Sequence, residues 1–262
     1  MITLGIIERV FNIRCGPQSG TCFAIEQNGR QYVVTAKHVL AKMDAQKCIG
    51  LFKSGRWNEY TVKVVGISSD NDVAVLAFPE QLCPPNGTEA SSIGMAVGQD
   101  VYFLGFPYGQ QLEQDRKISD FPMPLVKKGI LSGIAGNGSG VSHFILDAHN
   151  NPGFSGGPVV FERPGAIPPV TSGAIIQRKL KVAGIISGYR ESQEPVFQNG
   201  QKTSLTYAYN TGIVIAESIH HATEMIEANQ IGASIDPESE RHPGSWLEKQ
   251  GYKPKKCSGT VA

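Results

Sequence analysis

The chain has 262 residues and a formal net charge of +1, from 24 basic and 23 acidic side chains. This length can bury one large core or two smaller ones, and a nearly neutral surface favours neither nucleic acid nor an anionic membrane as a partner. Its 30 glycines and 16 prolines separate short apolar segments. No run of about 18 apolar residues occurs, so we expect an all-β protein without a transmembrane helix.

Short apolar or alternating runs bounded by turn residues predict two groups of strands. The first group covers Thr21–Glu26, Gln31–Ala36, Lys47–Phe52, Tyr60–Ile67 and Asp72–Phe78. The second group covers Asp100–Phe106, Val126–Ile134, Ser142–Ala148, Pro158–Phe161, Val170–Gln177 and Lys181–Ser187. The break near Pro84–Gly94 predicts two antiparallel β-barrels, one at about 1–90 and one at about 91–212.

The sequence changes character after the second group of strands. Apolar residues recur with a helical period over about 213–229, which predicts a C-terminal α-helix. Residues 231–262 are polar, carry Pro and Gly, and end in a basic stretch, so they predict a partly ordered tail. We therefore expect one domain over 1–230 followed by that tail.

One segment carries a chemical signature: Asn151-Pro152-Gly153-Phe154-Ser155-Gly156-Gly157-Pro158 sets a serine among glycines. A nucleophilic serine needs an exposed hydroxyl and free backbone N–H groups that can hold a developing oxyanion, and glycine permits the backbone angles this requires. Ser155 is the candidate nucleophile, and the N–H groups of Gly153 and Ser155 are the candidate oxyanion donors. Because such runs are also ordinary turns, two other segments carry the decision.

Those segments are Thr35-Ala36-Lys37-His38-Val39 and Asp72-Val73-Ala74-Val75-Leu76. In chain order His38, Asp72 and Ser155 supply a general base, an orienting acid and a nucleophile. Asp70 is an alternative acid, because two residues spaced by two in an extended strand point the same way.

Together with Gly105-Phe106-Pro107-Tyr108-Gly109, and with the serine motif extended back to Asp147, these segments resemble the trypsin-like serine peptidases. Within that class they are most similar to the high-temperature-requirement branch, over roughly Ser19 to Ser187, and the motif favours Asp72 over Asp70. The resemblance implies a serine endopeptidase that acts on a protein or peptide through an acyl-enzyme, without metal or cofactor. It also implies an active site between two barrels and a helix on the second. Because about 30 residues follow that helix in this sequence, we expect no PDZ domain after it.

The resemblance also places a substrate pocket, formed by His149, Asn150, Ile186, Ser187 and Gly188. His149 stands six positions before Ser155, where trypsin has an acidic residue. We therefore expect a mid-sized apolar residue at P1, the substrate residue before the scissile bond, rather than Arg or Lys. A histidine at the pocket base would also accept Gln or Glu, whereas a lone histidine can equally face solvent.

Phe154 departs from trypsin, in which an aspartate before the serine pairs with a new N-terminus after zymogen cleavage. No such ion pair can form here, so the oxyanion hole is either preformed or ordered by substrate or by a regulatory protein partner. The alternative function is a partner-gated or catalytically latent binding module with the same fold. The intact set of His38, Asp72, Gly153 and Ser155 argues against lost catalysis.

The remaining polar and sulfur-containing residues suggest no second site. The five cysteines are scattered and form neither a CxxC pair nor a metal-ligand pattern. This pattern, and an N-terminus without signal-peptide features, predict a cytoplasmic location.

His220-His221 has no further ligands at metal spacing, so we expect no metal. Lys127-Lys128 is interpreted as solvated surface, and Asp147 as bracing a loop.

Overall fold

The structure is a computed structural model that describes residues 2–109, 123–136, 140–163 and 179–236. Over those ranges the chain forms an eight-stranded and a seven-stranded sheet, with two short helices, α1 (Leu4–Ile7) and α2 (His220–Ala228). The predicted all-β fold class with a C-terminal helix is confirmed.

The first sheet consists of early strands and one late strand. Its members are β1 (Val10–Cys15), β2 (Gln18–Gln27), β3 (Arg30–Thr35), β4 (Cys48–Lys53), β5 (Arg56–Thr61), β6 (Lys63–Ile67), β7 (Ala74–Ala77) and β15 (Ala233–Ser234). They pair in the order β5-β4-β1-β2-β3-β7-β6, and β15 pairs with β3. Among the described residues no ladder joins β5 to β6, so this first sheet is a half-barrel that stays open between those two strands.

The sequence patterns misplaced two parts of this sheet. The predicted strand Tyr60–Ile67 is divided at Val62 into the end of β5 and the whole of β6. The side chain of Val62 is buried, and its N–H donates a hydrogen bond to the Lys47 carbonyl. β1 was missed, because the polar Asn12 interrupts its apolar run although it is buried.

The second sheet closes into a ring. Its strands are β8 (Glu89–Ala90), β9 (Asp100–Gly105), β10 (Leu125–Gly136), β11 (Val141–Asp147), β12 (Pro158–Glu162), β13 (Leu180–Gln198) and β14 (Gln201–Ser218). The order β12-β9-β10-β11-β14-β13 is completed by pairing of β12 with β13. β8 adds parallel to β13. The predicted strand Val170–Gln177 lies outside the described residues.

β13 and β14 form a hairpin far longer than the predicted strand Lys181–Ser187. The two strands pair from Gly184 and Ser218 down to a tight turn at Asn199-Gly200. Both turn residues have positive φ, 50° and 77°, as the commonest two-residue hairpin turn requires. The distal part of this hairpin therefore projects beyond the ring as a two-stranded ribbon.

The predicted start of the C-terminal helix was wrong. β14 continues through Ser218, and α2 begins at His220. Val214, Ala216 and Ser218 are buried in alternation, and the β-branched run from Ile213 to Ile215 favours the extended backbone. The burial of every second residue therefore continues the strand where the helical spacing predicted a helix. As a result, the second ring extends beyond residue 212.

A shared core joins the two sheets. One buried cluster includes Phe23 and Val34 of the first sheet, Leu104 and Ile185 of the second, and Ile226 of α2. Each sheet also has a core cluster of its own. The shared cluster fixes the relative position of the sheets, and the candidate site lies where they meet.

Candidate active site

The predicted base and acid lie side by side because β3 and β7 are neighbours. Thr35, at the end of β3, pairs with Ala74, at the start of β7. His38 follows β3 in a short 3-10 helix, and Asp72 lies two residues before the start of β7. Because β3 and β7 are antiparallel, the end of β3 and the start of β7 lie at the same edge of the sheet. The two side chains are therefore brought together.

Asp72 holds His38 through two hydrogen bonds. His38 Nδ1 lies 2.6 Å from Asp72 Oδ2, and the His38 backbone N–H donates to Asp72 Oδ1 at 2.9 Å. A proton on Nδ1 leaves Nε2 as the free acceptor on the ring. Asp70 instead accepts a hydrogen bond from Ser69 Oγ. Because residues 68–73 form a loop rather than a strand, Asp70 and Asp72 are not equivalent.

Ser187 supplies a third hydrogen bond to the Asp72 carboxylate, although the sequence analysis assigned this serine only to the substrate pocket. Its Oγ donates to Asp72 Oδ2 at 2.7 Å. Burial acts to raise the pKa of Asp72, but hydrogen bonds from His38 and Ser187 outweigh it, and the net pKa lies below its ordinary value. Asp72 is therefore a carboxylate at neutral pH.

The Ser155 side chain reaches the same residue, Ser187, from the other side. Ser155 Oγ donates to the Ser187 carbonyl oxygen at 3.2 Å, and within the described part of the chain no hydrogen bond joins it to His38. The Ser155 carbonyl accepts from Thr21 N at 2.8 Å, which ties the serine loop to β2. Ser155, Ser187, Asp72 and His38 thus form one continuous arrangement.

The first candidate oxyanion donor is oriented through the preceding carbonyl. Pro152 O accepts from Tyr108 N at 2.8 Å. In a trans peptide the C=O and N–H groups point in opposite directions, so the Gly153 N–H points away from Tyr108. Gly153 has φ +104°, and a Cβ there would lie 2.4 Å from Phe106 O. Only glycine fits this position.

The second candidate donor is oriented in the same way. Phe154 O accepts from Gly157 N at 2.8 Å, which directs the Ser155 N–H to the opposite side of that peptide. Within the described residues neither the Gly153 nor the Ser155 N–H has a hydrogen-bond acceptor. Phe154 itself is fully buried and packs edge-on against Phe103, with ring centroids 5.1 Å apart.

The predicted pocket residues differ in exposure. His149 is exposed, whereas Asn150 is buried and its carbonyl accepts from Asn210 Nδ2 at 2.6 Å. Ile186 is buried, and its backbone bonds to the glycines that follow Ser155. At Gly188 an added Cβ would meet nothing within 4 Å. The strand therefore leaves open space at Gly188.

Lys127 was wrongly interpreted as solvated surface. Its Nζ donates to His149 O at 2.6 Å and to Asn151 Oδ1. It also lies 5.3 Å from the centre of the Phe154 ring. Partial burial lowers the pKa of its ammonium group. No sequence motif marks this residue, since it lies on β10, far from the serine in sequence.

The other residues singled out in the sequence have simple partners. His220 Nε2 lies 3.1 Å from Glu224 Oε1, and His221 Nε2 lies 2.9 Å from Ser142 O. No group of metal-binding side chains is found in the described ranges. Within the same ranges no helix has the length and apolar character that crossing a membrane requires.

A family model of the trypsin-like peptidase domain matches residues 20–167, more than half of the chain, and the chain therefore belongs to that family. It is similar to the serine protease Do-like HtrA of Bacillus subtilis (strain 168), with 30% identity over 154 residues, covering 55% of this chain and 31% of that protein. It is also similar to the chloroplastic Protease Do-like 5 of Arabidopsis thaliana, with 28% identity over 156 residues, covering 54% of this chain and 44% of that protein. The chain thus spans less than half the length of each of these curated relatives.

Solved structures share the fold at lower identity. The HtrA-type protease AlgW with tripeptide has a TM-score of 0.54 and 22% identity, over 85% of this chain and 60% of that one. The active form of the Rv3671c protease from M. tuberculosis has a TM-score of 0.55 and 17% identity, over 88% of each chain. The curated Do-like relatives confirm the resemblance to the high-temperature-requirement branch, and the solved structures show that the fold is shared.

Proposed function

We propose that this chain is a serine endopeptidase in which Ser155 is the nucleophile, His38 the general base and Asp72 the orienting acid. The observation that carries the proposal is the continuous hydrogen-bonded arrangement from His38 through Asp72 and Ser187 to Ser155. It unites residues from both sheets. A structural serine or histidine would not need a half-buried carboxylate with this orientation.

In the reaction Ser155 Oγ leaves the Ser187 carbonyl and turns toward His38 Nε2. Nε2 takes the hydroxyl proton while Oγ forms a bond to the substrate carbonyl carbon, whose oxygen becomes an oxyanion. The same proton then passes from Nε2 to the leaving amine as the C–N bond breaks. Water, activated in turn by His38, hydrolyses the resulting ester. Asp72 stabilises the imidazolium at both stages.

The oxyanion would be held by the N–H groups of Gly153 and Ser155. Their opposite carbonyls are already bonded to Tyr108 N and Gly157 N, so neither peptide needs to reorient when charge develops. Preorganised donors of this kind contribute most of the transition-state stabilisation in acyl transfer. This arrangement favours a preformed oxyanion hole over one that substrate or a regulatory partner must order.

One contact favours a second candidate function, a peptidase-fold module gated by a partner. Ser155 Oγ donates to Ser187 O and not to His38, which is the geometry of a resting site. A regulatory protein or the substrate itself would then have to draw the hydroxyl toward the imidazole. Catalytic hydrogen bonds are often completed only when substrate binds, so this geometry is compatible with both candidates.

The pocket is proposed to accept a mid-sized apolar P1 residue of a protein or peptide. No acidic side chain stands at position 149, and the histidine there is exposed. Open space beside Gly188 leaves room for the side chain.

A cytoplasmic location is part of this proposal. Among the described residues Cys15, Cys22, Cys48 and Cys83 all carry free thiols. Burial raises the pKa of Cys83 to about 11 and also raises that of Cys22, so these thiols resist oxidation. Cys48 is less buried than the other three and is the thiol that can report the location. Thiol titration of the denatured protein, isolated without reductant, should count five free thiols, and a count below five would indicate an oxidising location.

The test is covalent labelling by a fluorophosphonate, which reacts with an activated serine hydroxyl. We expect the wild-type chain to gain one adduct by intact mass, and Ser155→Ala to gain none. Ser132→Ala is the matched control, because that exposed serine lies on β10 away from the site. Labelling of the Ser155→Ala protein would overturn the assignment. Labelling of the wild type only after a protein substrate is added would favour the gated module.

A further inference from the structure

β14 turns one carboxyl group toward the first sheet. Val214 and Ala216 belong to the core cluster of the second sheet, so Glu217, the next residue, points to the opposite face. Glu217 pairs with Ile185 of β13, which is buried in the cluster that both sheets share. Cross-strand partners lie on the same face of a sheet. Glu217 is therefore half-buried where the two sheets meet.

The backbone of the candidate orienting acid lies opposite this carboxyl group. The Asp72 N–H donates to the Glu217 carboxylate. The Ser187 hydroxyl, from the neighbouring strand β13, donates to the Asp72 side chain at 2.7 Å. Two adjacent strands of the second sheet therefore hold the backbone and the side chain of the same residue.

Glu217 satisfies the polar group of Asp72 that the first sheet leaves free. The Asp72 carboxylate accepts from the backbone and the ring of His38. The Asp72 carbonyl accepts from Lys37 N at 3.3 Å. In the described part of the chain no backbone carbonyl accepts from the Asp72 N–H. Glu217 is thus the acceptor that completes the hydrogen bonding of this residue.

The loop that carries Asp72 depends on such anchors, because residues 68–73 form no strand. Lys37 Nζ donates to Ser68 O at 2.9 Å and to Ser69 O at 3.3 Å, which fastens the start of the loop to the first sheet. Glu217 fastens the other end to the second sheet. The contact therefore links the position of Asp72, and of the imidazole bonded to it, to the sheet that supplies Ser155.

The stability of the fold does not account for a carboxylate at position 217. Burial raises the pKa of Glu217 above its ordinary value, and the nearby Asp72 carboxylate raises it further. The Asp72 N–H, His143 of β11 and His221 of α2 offset this rise only in part. A raised carboxyl pKa contributes stability below the unfolded pKa, and this contribution is lost as pH rises through the folded value. The Glu217 charge therefore opposes folding at neutral pH.

We propose that Glu217 is a positioning residue for the peptidase reaction, which holds the Asp72 backbone so that Asp72 orients the His38 ring toward Ser155. This inference rests on the proposed function. In this role Glu217 touches neither the substrate nor the reacting atoms, and it acts only through Asp72. Loss of its acceptor lets the loop shift, and small displacements of catalytic groups slow a reaction strongly.

The test compares two substitutions at this position. Glu217→Gln keeps an acceptor at the same distance along the side chain, whereas Glu217→Leu removes it. We expect the second-order rate of fluorophosphonate labelling to fall about tenfold in Glu217→Leu and to stay within about twofold of wild type in Glu217→Gln. Glu224→Leu is the matched control, because that exposed glutamate pairs with His220 on α2 and should be labelled at the wild-type rate.

Urea unfolding separates positioning from structural support. Near pH 7 the urea midpoint of Glu217→Gln should equal or exceed that of wild type, because the amide keeps the hydrogen bond without a buried charge. Glu217→Leu should keep the circular dichroism of wild type while its labelling is slow. Equal slowing in the Gln and Leu variants would show that the acceptor is not what matters, and would overturn the inference.

A second readout needs no activity. In the ¹⁵N-labelled protein we follow the chemical shift of the Asp72 amide proton between about pH 4 and pH 8. We expect a titration step with an apparent pKa above the ordinary value for a glutamate, and we expect Glu217→Gln to lack it. Steps that both proteins share belong to Asp72 itself and to the imidazoles of His143 and His221.

A Glu217→Leu protein labelled at the wild-type rate, or the same titration of the Asp72 amide in wild type and Glu217→Gln, would also overturn the inference. A wild-type protein that resists the fluorophosphonate would instead count against the proposed function. In that case the amide titration still decides whether Glu217 holds the Asp72 backbone.

Discussion

At the scale of single residues, Asp72 has the most constrained environment in the candidate site. Its carboxylate accepts from the His38 backbone, from the His38 ring and from Ser187 Oγ. Burial alone would raise its pKa, and these hydrogen bonds lower it below the ordinary value. The charge needed to stabilise an imidazolium is therefore present throughout the neutral range.

Asp72→Asn should lower both the fluorophosphonate reaction rate and the stability of the fold. A lowered carboxyl pKa stabilises the folded state above the unfolded pKa, and this contribution is lost as pH falls through the folded value. We therefore expect the difference in urea midpoint between wild type and Asp72→Asn to be largest near pH 7 and to shrink below about pH 4. Asp70→Asn is the control and should show little difference. A difference unchanged between pH 7 and pH 3 would contradict the assigned pKa direction.

At the scale of elements, the serine loop is held from three directions. Thr21 Oγ1, on β2, donates a hydrogen bond to Gly153 O at 2.7 Å. Tyr108, after β9, bonds to Pro152, and Lys127 of β10 bonds to the loop from its far side. The loop has little regular structure of its own, so these neighbours set its geometry.

Lys127→Met should slow fluorophosphonate labelling about tenfold, because small displacements of catalytic groups are costly. The substitution keeps most of the aliphatic stem and removes the ammonium that bonds to His149 and Asn151. Lys128→Met is the matched control, since the adjacent Lys128 is exposed and pairs with Asp100 on the surface. The far-ultraviolet circular dichroism of both variants should match wild type. Equal labelling rates in the two variants would argue against a role for Lys127 in bracing the loop.

At the scale of the whole molecule, the two sheets are joined by a common core rather than by a loose linker. Leu104 of β9 packs in the cluster that also contains Phe23 of β2 and Ile226 of α2. Arg9 also holds the segment that connects the two sheets. Its buried guanidinium pairs with Glu26 at 3.1 Å and donates a hydrogen bond to Pro84 O in that segment. His38 and Ser155 come from different sheets, so the site requires this interface.

Leu104→Ala should lower the free energy of unfolding by about 2–5 kcal/mol, the usual cost of a cavity at a fully buried leucine. Because the core is shared, we expect near- and far-ultraviolet circular dichroism to report one coincident urea transition. Leu205→Ala, at a leucine that is 64% exposed, is the control and should cost about 0.5 kcal/mol or less. Two separate transitions would show that the sheets unfold independently.

Local patterns were sufficient for the fold class and for the residues of the serine loop. Alternating apolar runs identified β2, β3, β4 and most of the second ring, because a strand buried on one face shows its period directly. The requirement for glycine at position 153 was also visible, since a backbone angle that only glycine adopts leaves a mark on the sequence. The three motifs that contain His38, Asp72 and Ser155 predicted a base, an acid and a nucleophile in that order along the chain.

Contacts between distant segments depended on the tertiary structure. The motif already favoured Asp72 over Asp70, but the contact of Asp72 with His38 follows from the pairing of β3 with β7. The position of Lys127 follows from the packing of β10 beside the serine loop. The length of β14 depends on the burial of Val214 and Ala216 against the ring, which no local period reveals. The sequence by itself determined which chemistry the chain carries, whereas only the tertiary structure decided which groups meet, because hydrogen bonds and burial depend on neighbours far away in the chain.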